Sequence, residues 1–181
     1  MKLVGEQIYL RLYKISDARE LARLHNRNRE FFQRVCPLLP ETFYTEEYQK
    51  QRLQQALKKT DEGQLYPFGI FLKATDKLIG DISLTQISRG DLQSCTTGFT
   101  LDKGYNGKGY TTEALKLVVD FAFTELKLHR IEAGAMLDNI ASIRVLEKVG
   151  FEKEGIAKEN LKINGKWTDH QILAIINSLD V

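Results

Sequence analysis

Between Ser94 and Phe123 the apolar pattern changes period, and a cluster of glycines sits at the change. Ser94 to Leu101 reads as a strand, whereas Leu115, Val118, Val119, Ala122 and Phe123 recur at helical spacing in a helix that begins near Thr111. The segment Gly104-Tyr105-Asn106-Gly107-Lys108-Gly109-Tyr110-Thr111-Thr112-Glu113-Ala114 must therefore turn a strand into a helix within a few residues. Glycines permit such a turn and leave successive N–H groups exposed, and the helix N-terminus adds partial positive charge. A corner of this kind suits a phosphate or pyrophosphate, with Thr111 and Thr112 as hydroxyl donors and Lys108 as a charge. The plain alternative is a loop whose glycines serve only the turn. A P-loop is excluded, because two residues rather than four separate Gly104 from the Gly107-Lys108 pair, and Gly109 follows the lysine. The dinucleotide fingerprint finds Gly107 and Gly109 but has Thr112 where its third glycine belongs.

Around this corner the chain reads as one domain, residues 1–181, with strands first and helices interleaved later. Ile8, Leu10 and Leu12 alternate with Tyr9, Arg11 and Tyr13, a strand, and Asp17 caps a helix carrying Ala18, Leu21, Ala22 and Leu24. Residues 26–66, with Pro37, Pro40 and a helix-like run from Thr45 to Lys59, form a helical excursion. Phe68 to Lys73 and Leu78 to Gln86 pair through Thr75-Asp76-Lys77; His129 to Leu137 is a strand, and Ile140 to Val149 a helix ended by Gly150. Strands at 153–163 and 167–177 flank Asn164-Gly165, a hairpin signal. The predicted class is α+β: a mixed sheet with helices on its faces.

Composition narrows the function. Apolar residues make up 43%, enough for a core, and 26 basic against 24 acidic residues leave a net charge of +2. That balance excludes a general electrostatic grip on nucleic acid or a lipid surface. No apolar run reaches the roughly 18 residues of a spanning helix, and no secretory signal is visible. Cys36 and Cys95 form no CxxC pair and three scattered histidines suggest no metal site. The expectation is a cytoplasmic protein with buried thiols.

A second motif points further. Asp138-Asn139-Ile140-Ala141-Ser142-Ile143-Arg144-Val145-Leu146-Glu147-Lys148-Val149-Gly150-Phe151, with His129-Arg130-Ile131-Glu132-Ala133 before it and the glycine corner, resembles the GNAT superfamily of N-acetyltransferases, in particular its RimJ/RimL branch. Thr97-Gly98-Phe99-Thr100-Leu101, Ile79-Gly80-Asp81-Ile82-Ser83-Leu84 and Asn164-Gly165-Lys166-Trp167-Thr168-Asp169 extend the likeness over nearly the whole chain. It is weakest over 30–66. The resemblance implies a central, mostly antiparallel sheet of six to seven strands flanked by helices. It also implies acetyl-CoA as cosubstrate, no metal, and a primary amine acceptor, first of all a protein N-terminal amine of the ribosomal-protein type. Homodimers are common in such a family, although no exposed apolar stripe argues one here.

By the same resemblance, the backbone of Phe99 and Leu101 contacts the pantetheine arm. The pyrophosphate rests on Asn106, Gly107, Lys108, Gly109, Tyr110, Thr111 and Thr112, and Asn139 positions the cofactor. A tyrosine that protonates the departing thiolate in many members is Leu146 here, so Ser142, one turn earlier, takes that role. The bland reading makes Asn139 a helix cap and Ser142 its first-turn neighbour. The position where members often carry a glutamate base holds Thr96. An α-amine, with a pKa of about 7.7–8.0, needs less help than a lysine at about 10.4, whose deprotonation costs roughly 3–5 kcal/mol. A missing strong base therefore fits an α-amine, with Asp81 or a water chain finishing the proton transfer. The amine attacks directly, the thioester carbonyl being polarised by a backbone N–H near Phe99 in the gap where strands splay. Small-amine acetylation and an idle acyl-CoA-binding module are the alternatives. Arg27, Asn28 and Arg29 meet either an acceptor or solvent, Glu113 complements the helix dipole, Trp167 and Asp169 pack and hydrogen-bond, and His25 and His170 carry no role.

Overall fold

Alternating strands and amphipathic helices assemble around one sheet, and the structure, a computed structural model, describes residues 1–178. In chain order the elements are β1 (Lys2–Val4), β2 (Ile8–Leu12), α1 (Ala18–Arg27), α2 (Arg29–Gln33), α3 (Glu46–Asp61), β3 (Tyr66–Leu72), β4 (Leu78–Ser88) and β5 (Ser94–Leu101). They continue with α4 (Tyr110–Thr124), β6 (Arg130–Met136), α5 (Ile140–Val149), β7 (Glu152–Ile163) and β8 (Lys166–Ile176). The strands lie in the order β1-β2-β3-β4-β5-β6-β8-β7. Among the described residues only β5 with β6 is parallel. The expected mixed, mostly antiparallel sheet is present, with eight strands rather than six or seven. The addition is β1, a three-residue edge too short to show a period.

Period-two alternation decides which face each residue covers. Ile8 and Leu10 of β2 join Phe68, Ile82, Leu115, Val118, Phe121, Ile143 and Leu146 in the core beneath α4 and α5. Tyr9 and Tyr13 point the other way and pack with Leu21, Leu24, Leu53, Phe71 and Leu78 beneath α1 and α3. The excursion is helical as expected: the Thr45 hydroxyl accepts from the Tyr48 amide at 3.2 Å to start α3. Asn164 and Gly165 take φ of +48° and +81° between paired Ile163 and Lys166, the tight hairpin their sequence announces. Gly150 ends α5 at φ +107°. Asp17 departs from expectation. It precedes α1 without capping it, because its carboxylate is taken by Arg11 at 2.7 and 2.8 Å and by the Lys14 amide at 2.7 Å.

The parallel pair positions the site. It holds for only three residues, Ser94 with Arg130, Cys95 with Ile131 and Thr96 with Glu132. Beyond them β5 stays with β4, Leu84 to Gly80 opposite Thr97 to Leu101, while β6 stays with β8. The two inner edges part and a gap opens in mid-sheet. Gly80 keeps β4 close to β5 there: a Cβ at this position would stand 2.4 Å from the Thr100 carbonyl oxygen. Gly80→Ala should therefore cost about 1–3 kcal/mol by forcing backbone apart in a filled region. Urea unfolding measures this, and an unchanged midpoint would show that the pairing relaxes freely.

Candidate active site

The parted strands border a cavity of ≈ 550 Å³. Its walls come from both faces of the sheet. Phe99, Asn139, Ser142 and Leu146 line it from the α5 side; Thr96, Thr100, Glu132 and His170 line it from the opposite side, with Cys36 from the segment after α2. The cavity thus passes through the sheet, and two molecules can meet in it from opposite faces. The inner edge of β5 carries backbone groups that no strand pairs after Thr96, ready for an extended chain.

One end of that edge runs into the glycine corner. Gly107 and Gly109 adopt φ of +77° and +83°, and nothing lies within 4 Å of the place a Cβ would occupy on either. Gly109 starts α4 without a side-chain cap. No acceptor among the described residues meets the amides of Gly107, Lys108, Gly109, Tyr110, Thr111 or Thr112. Six amides at a helix N-terminus favour an anion. Asn106 lies extended ahead of them. Lys108 places its ammonium 5.4 Å from the Tyr105 ring centroid, at the side of the corner.

The corner is anchored from α1, a link invisible in the sequence. Arg27 Nε donates to Asp102 Oδ2 at 2.5 Å, and its NH2 group donates to the Leu78 carbonyl at 3.1 Å. The buried Asn28 accepts from the Lys103 amide at 2.9 Å and donates to the Leu24 carbonyl at 2.9 Å. Asp102 accepts from the Gly104 amide at 3.1 Å. Arg27 and Asn28 are therefore neither acceptor ligands nor a solvated face, and Arg29 pairs with Glu41 and stacks on Tyr44. Burial pushes the Asp102 carboxyl up, but Arg27, the Gly104 amide and Asn28 outweigh it and hold it below the usual carboxylate range. Glu113 has a second task besides the helix dipole: its Oε1 accepts from the Gln7 and Ile8 amides at 3.0 and 3.3 Å, which ties β2 to α4.

The predicted site residues divide into groups. Phe99, Asn139 and Ser142 line the cavity, and Asn139 also caps α5, accepting from the Ser142 amide at 3.4 Å. Asn106 to Thr112 form the corner. Leu101 turns its side chain into the core, so only its backbone serves the edge. Asp81 does not line the cavity. It stands one strand back, opposite Thr100, with its Oδ2 3.9 Å from His25 Nε2. Around it the buried Tyr13 hydroxyl, His25 Nε2 and Thr100 hydroxyl have no partner among the described residues. Burial, then the Asp81 charge, holds the Tyr13 phenol well above its usual range. Burial also lowers His25 against the opposing pull of Asp81. Cys95 is buried as expected; Cys36 is only half-buried and faces the cavity. Burial pushes Cys36 up to about 11 and Cys95 up to about 12, so both remain thiols at neutral pH. Trp167 is 62% exposed rather than packed. His170, given no role by the sequence, lines the cavity.

Comparison with known proteins agrees with this geometry. The model of the acetyltransferase (GNAT) domain matches residues 7–152. The chain belongs to the GNAT acetyltransferase family. Among GNAT relatives, the probable N-acetyltransferase YjcK of Bacillus subtilis is 51% identical over 98% of both chains. The structure of the ribosomal-protein-S5-alanine acetyltransferase of Vibrio fischeri superposes with a TM-score of 0.94 at 35% identity, covering 98% of this chain and 97% of that one. RimJ of Mycobacterium smegmatis, solved with a CoA-disulfide, superposes with a TM-score of 0.91 at 27% identity over 95% and 83% of the two chains.

In this GNAT protein the anchor on Asp102 is a testable part of the site. A carboxyl held low by its partners stabilises the fold above its unfolded value and stops doing so as pH falls through the folded value. Asp102→Asn should lose about 1–3 kcal/mol at pH 7, the range for a broken charged hydrogen bond. The gap to the wild type should begin to narrow below about pH 4 and close as pH falls through the lowered folded value. Urea unfolding at pH 7 and pH 3 checks this, and a gap of equal size at both would contradict it.

Proposed function

We propose that this chain is a cytoplasmic, acetyl-CoA-dependent N-acetyltransferase acting on a protein N-terminal α-amine of the ribosomal-protein type, with residues 1–181 working as one catalytic domain. The observation that carries this reading is the cavity through the sheet, with open amides at one end and few charges in its walls. The residues fit the cosubstrate. The corner from Asn106 to Thr112 offers its amides to the diphosphate, the β5 edge at Phe99 and Leu101 offers backbone groups to the pantetheine arm, and Asn139 borders the same channel. When bound, acetyl-CoA supplies an activated acyl group.

The walls favour a peptide over a small charged acceptor. They contain no lysine or arginine to meet the carboxylate of a free amino acid. Among the described residues their single carboxylate, Glu132, is bonded to Arg130 at 2.9 and 2.6 Å, so a polyamine finds no row of free acids there. A peptide N-terminus brings one amine and no adjacent carboxylate, and it is partly neutral at pH 7. The relation to an S5-alanine acetyltransferase supports the same choice. In the reaction the amine attacks directly; Cys36, a thiol at neutral pH, gives no covalent route. A backbone N–H near Phe99 polarises the carbonyl, and the Ser142 hydroxyl protonates the departing thiolate. Asp81 acts from behind the wall, its charge reaching Cys36, by favouring the positive charge that develops on nitrogen.

A panel of amines separates the readings: peptides with free N-termini, the same peptides blocked but carrying lysine, amino acids, spermidine and an amino sugar. Thiol release and mass mapping should show transfer to the free N-terminus and not to lysine. Ser142→Ala should lower kcat by about 10²–10⁴. Transfer to small amines alone would replace the acceptor, and acetyl-CoA binding without transfer to any amine would make the chain a binding module. An unchanged rate for Asp81→Asn across pH 6–9 would remove Asp81.

A further inference from the structure

A base that touches the amine must line the cavity on the face opposite Ser142. Among the described residues the titratable side chains in the lining are Cys36, Glu132 of β6 and His170 of β8; the walls from β4, β5, α5 and β7 contribute none. Behind them stand Arg130 beside Glu132, and Asp81 with Arg52 on the α1 and α3 side. Asp169, next to His170, points to the other face and accepts from the Glu159 amide at 2.8 Å. Cys36 keeps its proton at neutral pH. Glu132 is bonded through Oε1 to a guanidinium.

His170 differs from both. Its Nδ1 lies 2.9 Å from the Thr168 carbonyl oxygen. A carbonyl only accepts, so Nδ1 carries the hydrogen and the neutral ring presents a lone pair on Nε2. That nitrogen has no hydrogen-bond partner among the described residues, yet it is not sealed off as His25 Nε2 is. Only 5% of the residue is exposed, so its opening is toward the cavity. Strand register fixes the side: His170 pairs with Met136, two residues along from Gly134 and four from Glu132, all facing away from the α5 side where Ser142 lies.

We propose that His170 is the group that takes the proton from the attacking amine, a role that rests on the acetyl-transfer reading above. The nitrogen forms its bond to the acetyl carbon and the carbon–sulfur bond breaks. One N–H proton passes to His170 Nε2 while the thiolate takes a proton from Ser142. His170 then releases its proton to solvent and Ser142 regains one, so the sum is amine plus thioester giving amide plus thiol. The acid and the base stand on opposite faces of the sheet, joined by the gap between β5 and β6.

The test is His170→Asn, whose amide replaces the Nδ1 donor to Thr168 but carries no basic nitrogen, read against wild type with free N-terminal peptides. The ratio of wild-type to variant kcat should be about 10²–10⁴ at pH 8. Added imidazole should restore part of the rate to His170→Ala, a second variant that does not depend on the asparagine bond. A ratio near one, or no rescue of His170→Ala by imidazole, overturns the proposal and leaves acetyl transfer standing. A wild type that transfers to no amine overturns both, and calorimetry with acetyl-CoA then shows whether the cofactor reading fails with them.

Discussion

Everything in this molecule turns on where two parallel strands stop pairing. Three residue pairs join β5 to β6, and past Thr96 and Glu132 each strand keeps only its outer neighbour. A sheet with an unpaired interior edge leaves backbone donors and acceptors unsatisfied unless another chain supplies partners. The divergence does three things together. It exposes an edge shaped for an extended arm, leads that edge to the six open amides of the glycine corner, and opens a passage through the sheet.

The surrounding structure holds this arrangement in place. Gly80 allows β4 to sit against β5, Arg27 and Asn28 grip Asp102 and Lys103 from α1, and Glu113 secures α4 to β2. The corner is thus fixed from both sides of the sheet before any anion arrives, so binding costs little ordering of the loop. Charge is distributed with the same economy. Among the described residues the cavity walls carry one engaged carboxylate and no lysine or arginine, which suits an acceptor with one amine and no acid beside it.

Much of this was legible from local pattern. The period change at Gly104 to Ala114, the alternation of Ile8 to Tyr13, Asn164-Gly165 and Gly150 are signals carried within a few residues, and each appears where it was expected. The resemblance supplied the wall residues Phe99, Asn139 and Ser142. What escaped depends on residues far apart in the chain. Asp17 looks like a cap until Arg11 claims it, and Arg27 and Asn28 meet a loop 75 residues away. His170 reaches the cavity only because β8 inserts between β6 and β7. The sole signal was its place after Thr168-Asp169 in the resembling segment. Trp167 was expected to pack, but it stands exposed near the tip of the β7–β8 hairpin.

Amide chemical shifts followed during a titration with coenzyme A test the central claim most directly, since they report on the backbone groups themselves. The account predicts saturable changes at Phe99 and Leu101 and at the amides from Gly107 to Thr112, with little change along β1 or β2. Saturable uptake that leaves those amides untouched, or no uptake at all, would contradict it.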